Sequence, residues 1–242
     1  MPRRQQSLLW PTALARLLSI PRQREDWRAA VSYARSLPEV DASRVVVWGT
    51  SFGGGHAIVT AAEDPDLTAA IVQCPCTDGL ASARQISAVG TARLAVAAAS
   101  DQLARVLGRP PVRVKVPARA REVGLMDAPD VITGVIGHLE ASGLTEEEYR
   151  NDVPARVAPQ IPLDALGRRA CGVRCPILFC VCDEDTVAPA EATLRHAAKA
   201  PYGEICRYPA GHFDIYIGEH FEQVVADQLS FLRAHVPATT TS

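Results

Sequence analysis

The strongest constraint on the fold is a serine that lies between an apolar run and an apolar helical segment. Residues Val45–Trp48 form a continuous apolar run, which is typical of a parallel strand covered on both faces. Residues Gly49–Gly53 then read G-x-S-x-G with Ser51 at the centre, and an Ala-, Ile- and Val-rich segment follows. The order strand, sharp turn, helix lifts a serine hydroxyl clear of the backbone. A helix-capping serine in a flexible turn is the alternative, and the flanking elements favour a nucleophile at Ser51.

Strand-like and helix-like segments alternate on both sides of a central insertion. Helical spacing runs from Asp26 to Leu37, and a second apolar run covers Ala69–Cys74. The alternation resumes with a strand at Ile177–Cys182, a helix at Pro189–Ala200, a strand at Ile205–Tyr208 and a helix at Glu219–Val236. This order predicts an α/β fold with a mostly parallel sheet and helices on both faces.

The predicted domain organisation follows from the same pattern. Residues 21–81 and 166–238 form the α/β core, and residues 82–165, which contain helical stretches without a strand-helix repeat, form an inserted helical cap. Residues 1–20 are an atypical N-terminal segment, and residues 239–242 are a low-complexity tail predicted to be disordered.

A serine nucleophile at neutral pH needs a base to take its proton and an acid to orient that base. In an α/β architecture both are expected in loops at the carboxyl ends of strands. The loop after Ile177–Cys182 contains three carboxylates, of which we select Asp185, with solvated loop charge or a helix cap as the alternative for the others. His212 follows the last strand and a glycine, which makes it the predicted base. The N–H of Phe52 is the predicted oxyanion donor.

The other histidines lack such a position. His56 lies on the first turn after the glycine-rich elbow, where it could line the site, although core packing is the simpler interpretation. Four further histidines lie on helical or cap segments and are predicted to be surface residues: His138, His196, His220 and His235.

Composition narrows the class of partner. The net charge of -2 and the pI near 6.3 give no clustered basic excess for nucleic acid, so a small molecule is the expected partner. Seven cysteines, an odd number at low density, favour the reducing cytoplasm, and their spacing does not match a zinc site. No apolar stretch reaches the length of a transmembrane helix, so no membrane partner is expected.

These motifs resemble the α/β-hydrolase superfamily, in particular its dienelactone-hydrolase-like bacterial members and the related fungal polyketide transferases. The resemblance covers residues 26–79, with G-x-S-x-G, and residues 176–236, with D-x-x-A-P at Asp185 and G-H-F at His212. It implies the nucleophile Ser51, the acid Asp185 and the base His212, and it implies no metal or redox cofactor. The implied activity is that of a serine hydrolase of the carboxylic-ester hydrolase class.

The sequence departs from the family before the nucleophile. Members of the family usually carry four more strands there, and a loop after the third contains an H-G motif that provides the second oxyanion N–H. Only 50 residues precede Ser51, without H-G, so we expect a partial α/β-hydrolase fold in which residues 1–20 are a foreign start of a truncated or misread product. The strand at Val45–Trp48 would then form an exposed sheet edge that could pair with another copy of the chain.

The predicted reaction is attack of Ser51 on an ester, thioester or lactone carbonyl, followed by hydrolysis of the acyl-enzyme. Two alternatives remain open at this point. An alcohol could replace water at the same acyl-enzyme, which would make the protein an acyl or polyketide transferase. Alternatively, loss of one oxyanion donor, which typically costs about 100- to 1000-fold in turnover, could leave a catalytically impaired remnant.

Overall fold

The computed structural model describes residues 18–149 and 151–236. The first half of the core contains helix α1 at Ile20–Ser36, strand β1 at Val46–Thr50, helix α2 at Ser51–Glu63 and strand β2 at Ala69–Gln73. Between β2 and residue 166 lie helix α3 at Gly79–Ala83, helix α4 at Ala88–Val106, strand β3 at Arg113–Pro117, strand β4 at Gly124–Met126, helix α5 at Pro129–Ala141, strand β5 at Asp152–Pro154 and a 3-10 helix at Ala155–Leu163. After a second 3-10 helix at Leu166–Gly172 come strand β6 at Ile177–Cys182, helix α6 at Ala190–Ala197, strand β7 at Gly203–Tyr208 and helix α7 at Gly218–His235.

The main sheet has four parallel strands in the order β1-β2-β6-β7. Its two faces carry two separate hydrophobic cores. On one face Val72 and Phe179 pack with residues of α1, α2 and α6, and on the other Ile71 and Leu178 pack with residues of α7. Every residue of β6 is buried, as expected for a parallel strand covered on both faces. The predicted α/β class, with helices on both faces of a mostly parallel sheet, is confirmed.

Strand β1 lies at one end of this sheet. Among the described strands it pairs with β2 alone, and Trp48 is 47% exposed. The indole N–H of Trp48 donates a hydrogen bond to Oε1 of Gln228 on α7, at 3.0 Å. Among the strands that the structure describes, β1 therefore has the edge position that the sequence predicts.

The region between β2 and β6 contains a small sheet as well as the expected helices. Strand β3 pairs in parallel with β4 and antiparallel with β5. These strands were not expected from the sequence, since each is only three to five residues long and β3 is bounded by prolines. The fully buried Asp101 on α4 stabilises this region. It forms an ion pair with Nε of Arg156 at 2.6 Å and accepts a hydrogen bond from the N–H of Val112 at 2.8 Å.

Two predictions fall wholly or largely outside the described residues. Residues 1–17 of the atypical N-terminal segment and the tail at 239–242 are not described. Among the helices that are described, none has the length and hydropathy that a membrane-spanning segment requires.

Candidate active site

Ser51 lies at the junction of β1 and α2 in a conformation that side chains rarely adopt. Its φ angle is 51°, in the left-handed region. A non-glycine residue in this region is strained and persists only where its surroundings hold it, and such strain is concentrated at functional sites. The sharp turn makes Ser51 the first residue of α2 and places it on the wall of a cavity. The local geometry is the sharp strand-to-helix elbow that the sequence predicts.

The elbow depends on the first glycine of the motif more than on the second. A Cβ atom on Gly49 would lie 2.4 Å from the carbonyl oxygen of Gly53 and 2.9 Å from Cβ of Ala57. Strand β1 and helix α2 could then no longer pack as closely as they do. A Cβ atom on Gly53 would meet its nearest neighbour, a ring atom of Trp27, at an ordinary 3.9 Å.

We therefore expect Gly49→Ala to lower the free energy of unfolding by about 1–3 kcal/mol, the usual range for overpacking. Gly53→Ala is the matched control, and because alanine favours a helix over glycine it should leave stability unchanged or raise it by about 0.5–1 kcal/mol. Urea denaturation of the two variants measures both values. Equal losses in the two variants would contradict the tight contact at Gly49.

The structure brings the three predicted residues together. Nε2 of His212 lies 3.0 Å from Oγ of Ser51, and Nδ1 of His212 lies 2.8 Å from Oδ2 of Asp185. Asp185 lies in the loop after β6 and His212 in the loop after β7, both at the carboxyl end of the sheet. The side chains of His212 and Asp185 are only 4% and 1% exposed, so solvent weakens their hydrogen bond little.

The neighbours of Asp185 explain why this carboxylate, among three in its loop, faces the histidine. Its Oδ1 accepts hydrogen bonds from the backbone N–H groups of Val187, at 2.8 Å, and Ala188, at 2.6 Å. Oδ2 is thereby left to accept from Nδ1–H of His212. Asp183 instead pairs with Arg207 at 2.8 Å on the surface, and Glu184 is exposed.

Cys74, which no sequence motif marks, lies beside the Asp185–His212 pair. Cys74 ends β2 with a positive φ of 34°, and Sγ of Cys74 lies 3.1 Å from the hydroxyl of Tyr216. Burial raises the pKa of the Cys74 thiol, but hydrogen bonds with Cys182, His212 and Tyr216 and the charge of His212 lower that pKa below its ordinary value. No sequence motif marks Cys74 or Tyr216, because their position beside the Asp185–His212 pair depends on which strands become neighbours in the sheet.

The neighbours of His212 raise its pKa. Burial alone would lower the pKa of His212, but the Cys74 sulfur and the hydrogen-bonded Asp185 carboxylate together raise it above its ordinary value. Burial raises the pKa of Asp185, and the hydrogen bond and charge of His212 oppose that rise. Cys74 and Asp185 therefore stabilise the imidazolium that forms when His212 accepts a proton.

One group of side chains within the described residues has the composition and spacing to hold a metal ion, and it overlaps this site. The ligand atoms of Cys74, Asp185 and His212 all lie within 4.8 Å of one another. Because Asp185 and His212 are already hydrogen-bonded to each other, an ion there would have to break that bond. All seven cysteines are free thiols, and Cys180 and Cys182 are buried in β6.

Phe52 follows Ser51 as the second residue of α2. The first N–H groups of an α-helix have no partner within the helix, and the helix dipole adds a partial positive charge at this end. The backbone N–H of Phe52 thus has the position expected of an oxyanion donor.

Ser51 opens into a cavity of about 800 Å³. Its walls come from α1, α4, α5 and the 3-10 helix at Ala155–Leu163, and most lining side chains are apolar. Asp127 is the single Asp, Glu, Lys or Arg side chain among the described residues that line it. The site can therefore receive an uncharged apolar group beside a strained serine, as binding cavities for small molecules commonly do.

Of the remaining histidines, His56 agrees with the sequence-based expectation, and His138 and His196 differ from it. His56 is 2% exposed and lines the cavity, with Nε2 at 3.2 Å from Oε1 of Gln23. The surface prediction is wrong for His196, which is 9% exposed. It is also wrong for His138, which is half-buried and donates from Nε2 to the carbonyl oxygen of Phe213 at 2.7 Å.

Comparisons with known proteins agree with this fold. The model of the acetyl xylan esterase (AXE1) family matches residues 25–109. The quorum-quenching protein AidA of Acinetobacter baumannii is 46% identical over 225 residues, which cover 91% of this chain and 71% of AidA. The polyketide transferase ATR5 of Stachybotrys chlorohalonatus is 32% identical over 99 residues, which cover 41% of this chain and 32% of ATR5.

Among solved structures, the α/β hydrolase GrgF from Penicillium sp. sh18 superposes with a TM-score of 0.72 at 20% identity, covering 92% of this chain and 74% of GrgF. A likeness at this identity shows the fold alone, and it is the fold that the sequence motifs predict. The identity to AidA extends along nearly the whole chain. The chain is therefore a hydrolase of the α/β-hydrolase superfamily and belongs to the same family as AidA.

Proposed function

We propose that this protein is a serine hydrolase that cleaves an ester, thioester or lactone through an acyl-enzyme. Ser51 is the nucleophile, His212 the general base and Asp185 the residue that orients it. The observation that carries the proposal is the continuous hydrogen-bonded chain from Oγ of Ser51 through His212 to Asp185, with distances of 3.0 Å and 2.8 Å. Nucleophile, base and orienting acid in this order are the recognised requirement for activating a serine.

In the first half of the reaction, Oγ of Ser51 attacks the carbonyl carbon while its proton passes to Nε2 of His212. The carbonyl π bond opens, and the N–H of Phe52 donates a hydrogen bond to the resulting oxyanion. When the oxyanion collapses, the bond to the alcohol or thiol leaving group breaks, and His212 returns its proton to that group. Ser51 then carries the acyl group as an ester.

In the second half, water attacks the acyl-enzyme and His212 takes a proton from it. Collapse of the second oxyanion releases the carboxylic acid and restores the hydroxyl of Ser51, with the proton coming from His212. Asp185 keeps Nδ1 of His212 protonated throughout, so Nε2 is free to accept.

The cavity favours substrates with an apolar, uncharged acyl or alcohol part. We assign residues 82–165, which supply α4, α5 and much of the cavity wall, to a cap that shapes this pocket. A quorum-quenching role, after the name of AidA, would make the substrate a signal molecule with an ester or lactone bond. The apolar lining is less suited to a polysaccharide such as acetylated xylan.

Acyl transfer is a second candidate, and the apolar lining of the cavity favours it because such a lining limits access of water to the acyl-enzyme. The similarity to the polyketide transferase ATR5 points in the same direction. Product analysis in the presence of a competing alcohol separates the two: an ester of that alcohol indicates transfer, and free acid alone indicates hydrolysis.

Two features bear on the cellular compartment and the oligomeric state of the protein. The free thiols of Cys180 and Cys182 in the core fit a reducing compartment, and we assign the protein to the cytoplasm on that basis. The edge position of β1 is a place where a second copy of the chain could pair.

Labelling with a fluorophosphonate probe tests the proposal, since the probe reacts with activated serines. We expect covalent labelling of the wild-type chain and none of Ser51→Ala, measured by in-gel fluorescence and by mass spectrometry of the labelled peptide. A folded wild-type chain that takes no label would instead support the impaired remnant.

A further inference from the structure

Helix α5 contacts both of the loops that carry the proposed acid and base. Near its start, the carboxylate of Asp130 accepts a hydrogen bond from the hydroxyl of Thr186, which lies 2.8 Å from Oδ2 and 2.9 Å from Oδ1. Thr186 directly follows Asp185 in the chain. One side chain of α5 thus holds the residue next to the acid.

Two turns further along the helix, the contact is with the residue next to the base. Nε2–H of His138 donates to the carbonyl oxygen of Phe213 at 2.7 Å, and Phe213 directly follows His212. The Phe213 ring in turn lies edge-on to the His212 imidazole, with 5.2 Å between the ring centroids and 73° between their planes. A displacement of Phe213 would therefore reach the imidazole by two routes, the backbone and the ring contact.

Between these two residues, Gly134 lets the helix approach the Phe213 ring closely. A Cβ atom at Gly134 would lie 2.3 Å from Cγ of Phe213 and 2.4 Å from its Cβ. Asp130, Gly134 and His138 are spaced by four residues, so they occupy one face of α5. Along this face α5 thus has a hydrogen-bond acceptor at Asp130, a residue without a side chain at Gly134 and a hydrogen-bond donor at His138, all next to the two loops.

The geometry points to α5 as the positioning element of the active site: Asp130 and His138 hold Thr186 and Phe213, and through them fix Asp185 and His212 against each other. This inference rests on the proposed function of Ser51, Asp185 and His212. Neither Asp130 nor His138 is placed at the reacting atoms, so both are positioning residues. Misplacement of catalytic groups by about 1 Å can reduce turnover about 100-fold, which leaves room for a measurable effect of each contact.

The same helix also borders the substrate cavity. Val131, which is fully buried, and Ala128 at the N-terminal end of α5 both line it. The helix therefore lines the cavity near its N-terminal end and contacts the two loops through Asp130 and His138.

The test compares paired variants at each contact. Asp130→Ala removes the acceptor for Thr186, whereas Asp130→Asn keeps an oxygen in its place. His138→Leu removes the donor to Phe213, whereas His138→Gln keeps an amide N–H. Thr133→Ala, at an exposed position of the same helix, is the control for a change in α5 itself.

We expect Asp130→Ala and His138→Leu each to lower kcat for 4-nitrophenyl butyrate about 10-fold or more with KM changed less than about twofold. Asp130→Asn and His138→Gln should recover most of the loss, and Thr133→Ala should match the wild type. The second readout is the low-field proton NMR signal of Nδ1–H of His212, which should broaden or shift in the two disruptive variants and return in the two conservative ones.

An unchanged low-field signal and unchanged kcat in Asp130→Ala and His138→Leu would overturn the inference. A fall in thermal stability in these variants without any change in kcat or in the signal would also overturn it, since it would show a purely structural contact. The NMR signal needs no turnover, so the inference is tested even if fluorophosphonate labelling of Ser51 fails and the proposed function with it.

Discussion

Replacing His212 with glutamine is expected to lower kcat about a millionfold, because this loss is typical when the base of a serine triad is removed. A glutamine amide can accept a hydrogen bond from Ser51 but cannot take its proton or return it to the leaving group. His220→Gln, on α7 and away from Ser51, is the matched control and should keep the wild-type rate. Steady-state kinetics with 4-nitrophenyl butyrate measures both, with the background rate of the ester subtracted.

The pH profile gives an independent check on the same residue. Only a neutral imidazole can accept the proton of Ser51, so kcat/KM of the wild type should rise as pH increases through the pKa of His212. Since that pKa is raised, the rise should lie above about pH 6.5, the ordinary value for histidine. The residual rate of His212→Gln should lack this rise. A variant that keeps more than about one per cent of the wild-type rate would show that another group serves as base.

The sequence was sufficient to predict the fold class and to place Ser51, Asp185 and His212 at one end of one sheet. In a parallel sheet, the residues that directly follow the strands all lie at the carboxyl end of the sheet. The positions of the strands alone therefore limit the candidates for the catalytic residues. The distances of 3.0 Å and 2.8 Å that join the three residues agree with that reasoning. The roles of these residues in catalysis stay predictions until they are measured.

Contacts between elements distant in sequence could not be predicted in this way. His138 was predicted to be a surface residue because its helix carries no local signal of what it packs against. It is in fact bonded to Phe213, 75 positions further along the chain. Cys74 and Tyr216 were missed for the same reason, since their contact joins residues 142 positions apart.

The short strands β3, β4 and β5 could not be predicted from the sequence for a different reason. Strands β4 and β5 have three residues each, too few for period-2 alternation to be distinguished from a loop. Strand β3 has five residues that do alternate, but it lies between prolines, which argue against a strand. Their pairing also depends on the small sheet packing against α4, whose buried Asp101 binds Arg156 just after β5. Such elements are specified by tertiary contacts more than by their own sequence.

Replacing Asp185 with asparagine is expected to lower kcat about 10⁴-fold, the loss that this change typically causes in a serine triad. The reason lies in the two backbone N–H groups, of Val187 and Ala188, that bind Oδ1. An asparagine must give its single oxygen to them, so its NH₂ group faces Nδ1 of His212. The imidazole must then accept at Nδ1 and carry its proton on Nε2, where it can no longer accept the proton of Ser51.

Asp183→Asn is the matched control, because Asp183 lies in the same loop but pairs with Arg207 on the surface. We expect its kcat to stay within about twofold of the wild type, because an exposed ion pair contributes only about 0–1 kcal/mol. Circular dichroism and thermal unfolding of both variants should confirm that the loop changes have not unfolded the chain. If Asp185→Asn loses less than tenfold while Asp183→Asn loses more, the acid of this site is Asp183, and the buried hydrogen bond between Asp185 and His212 is structural.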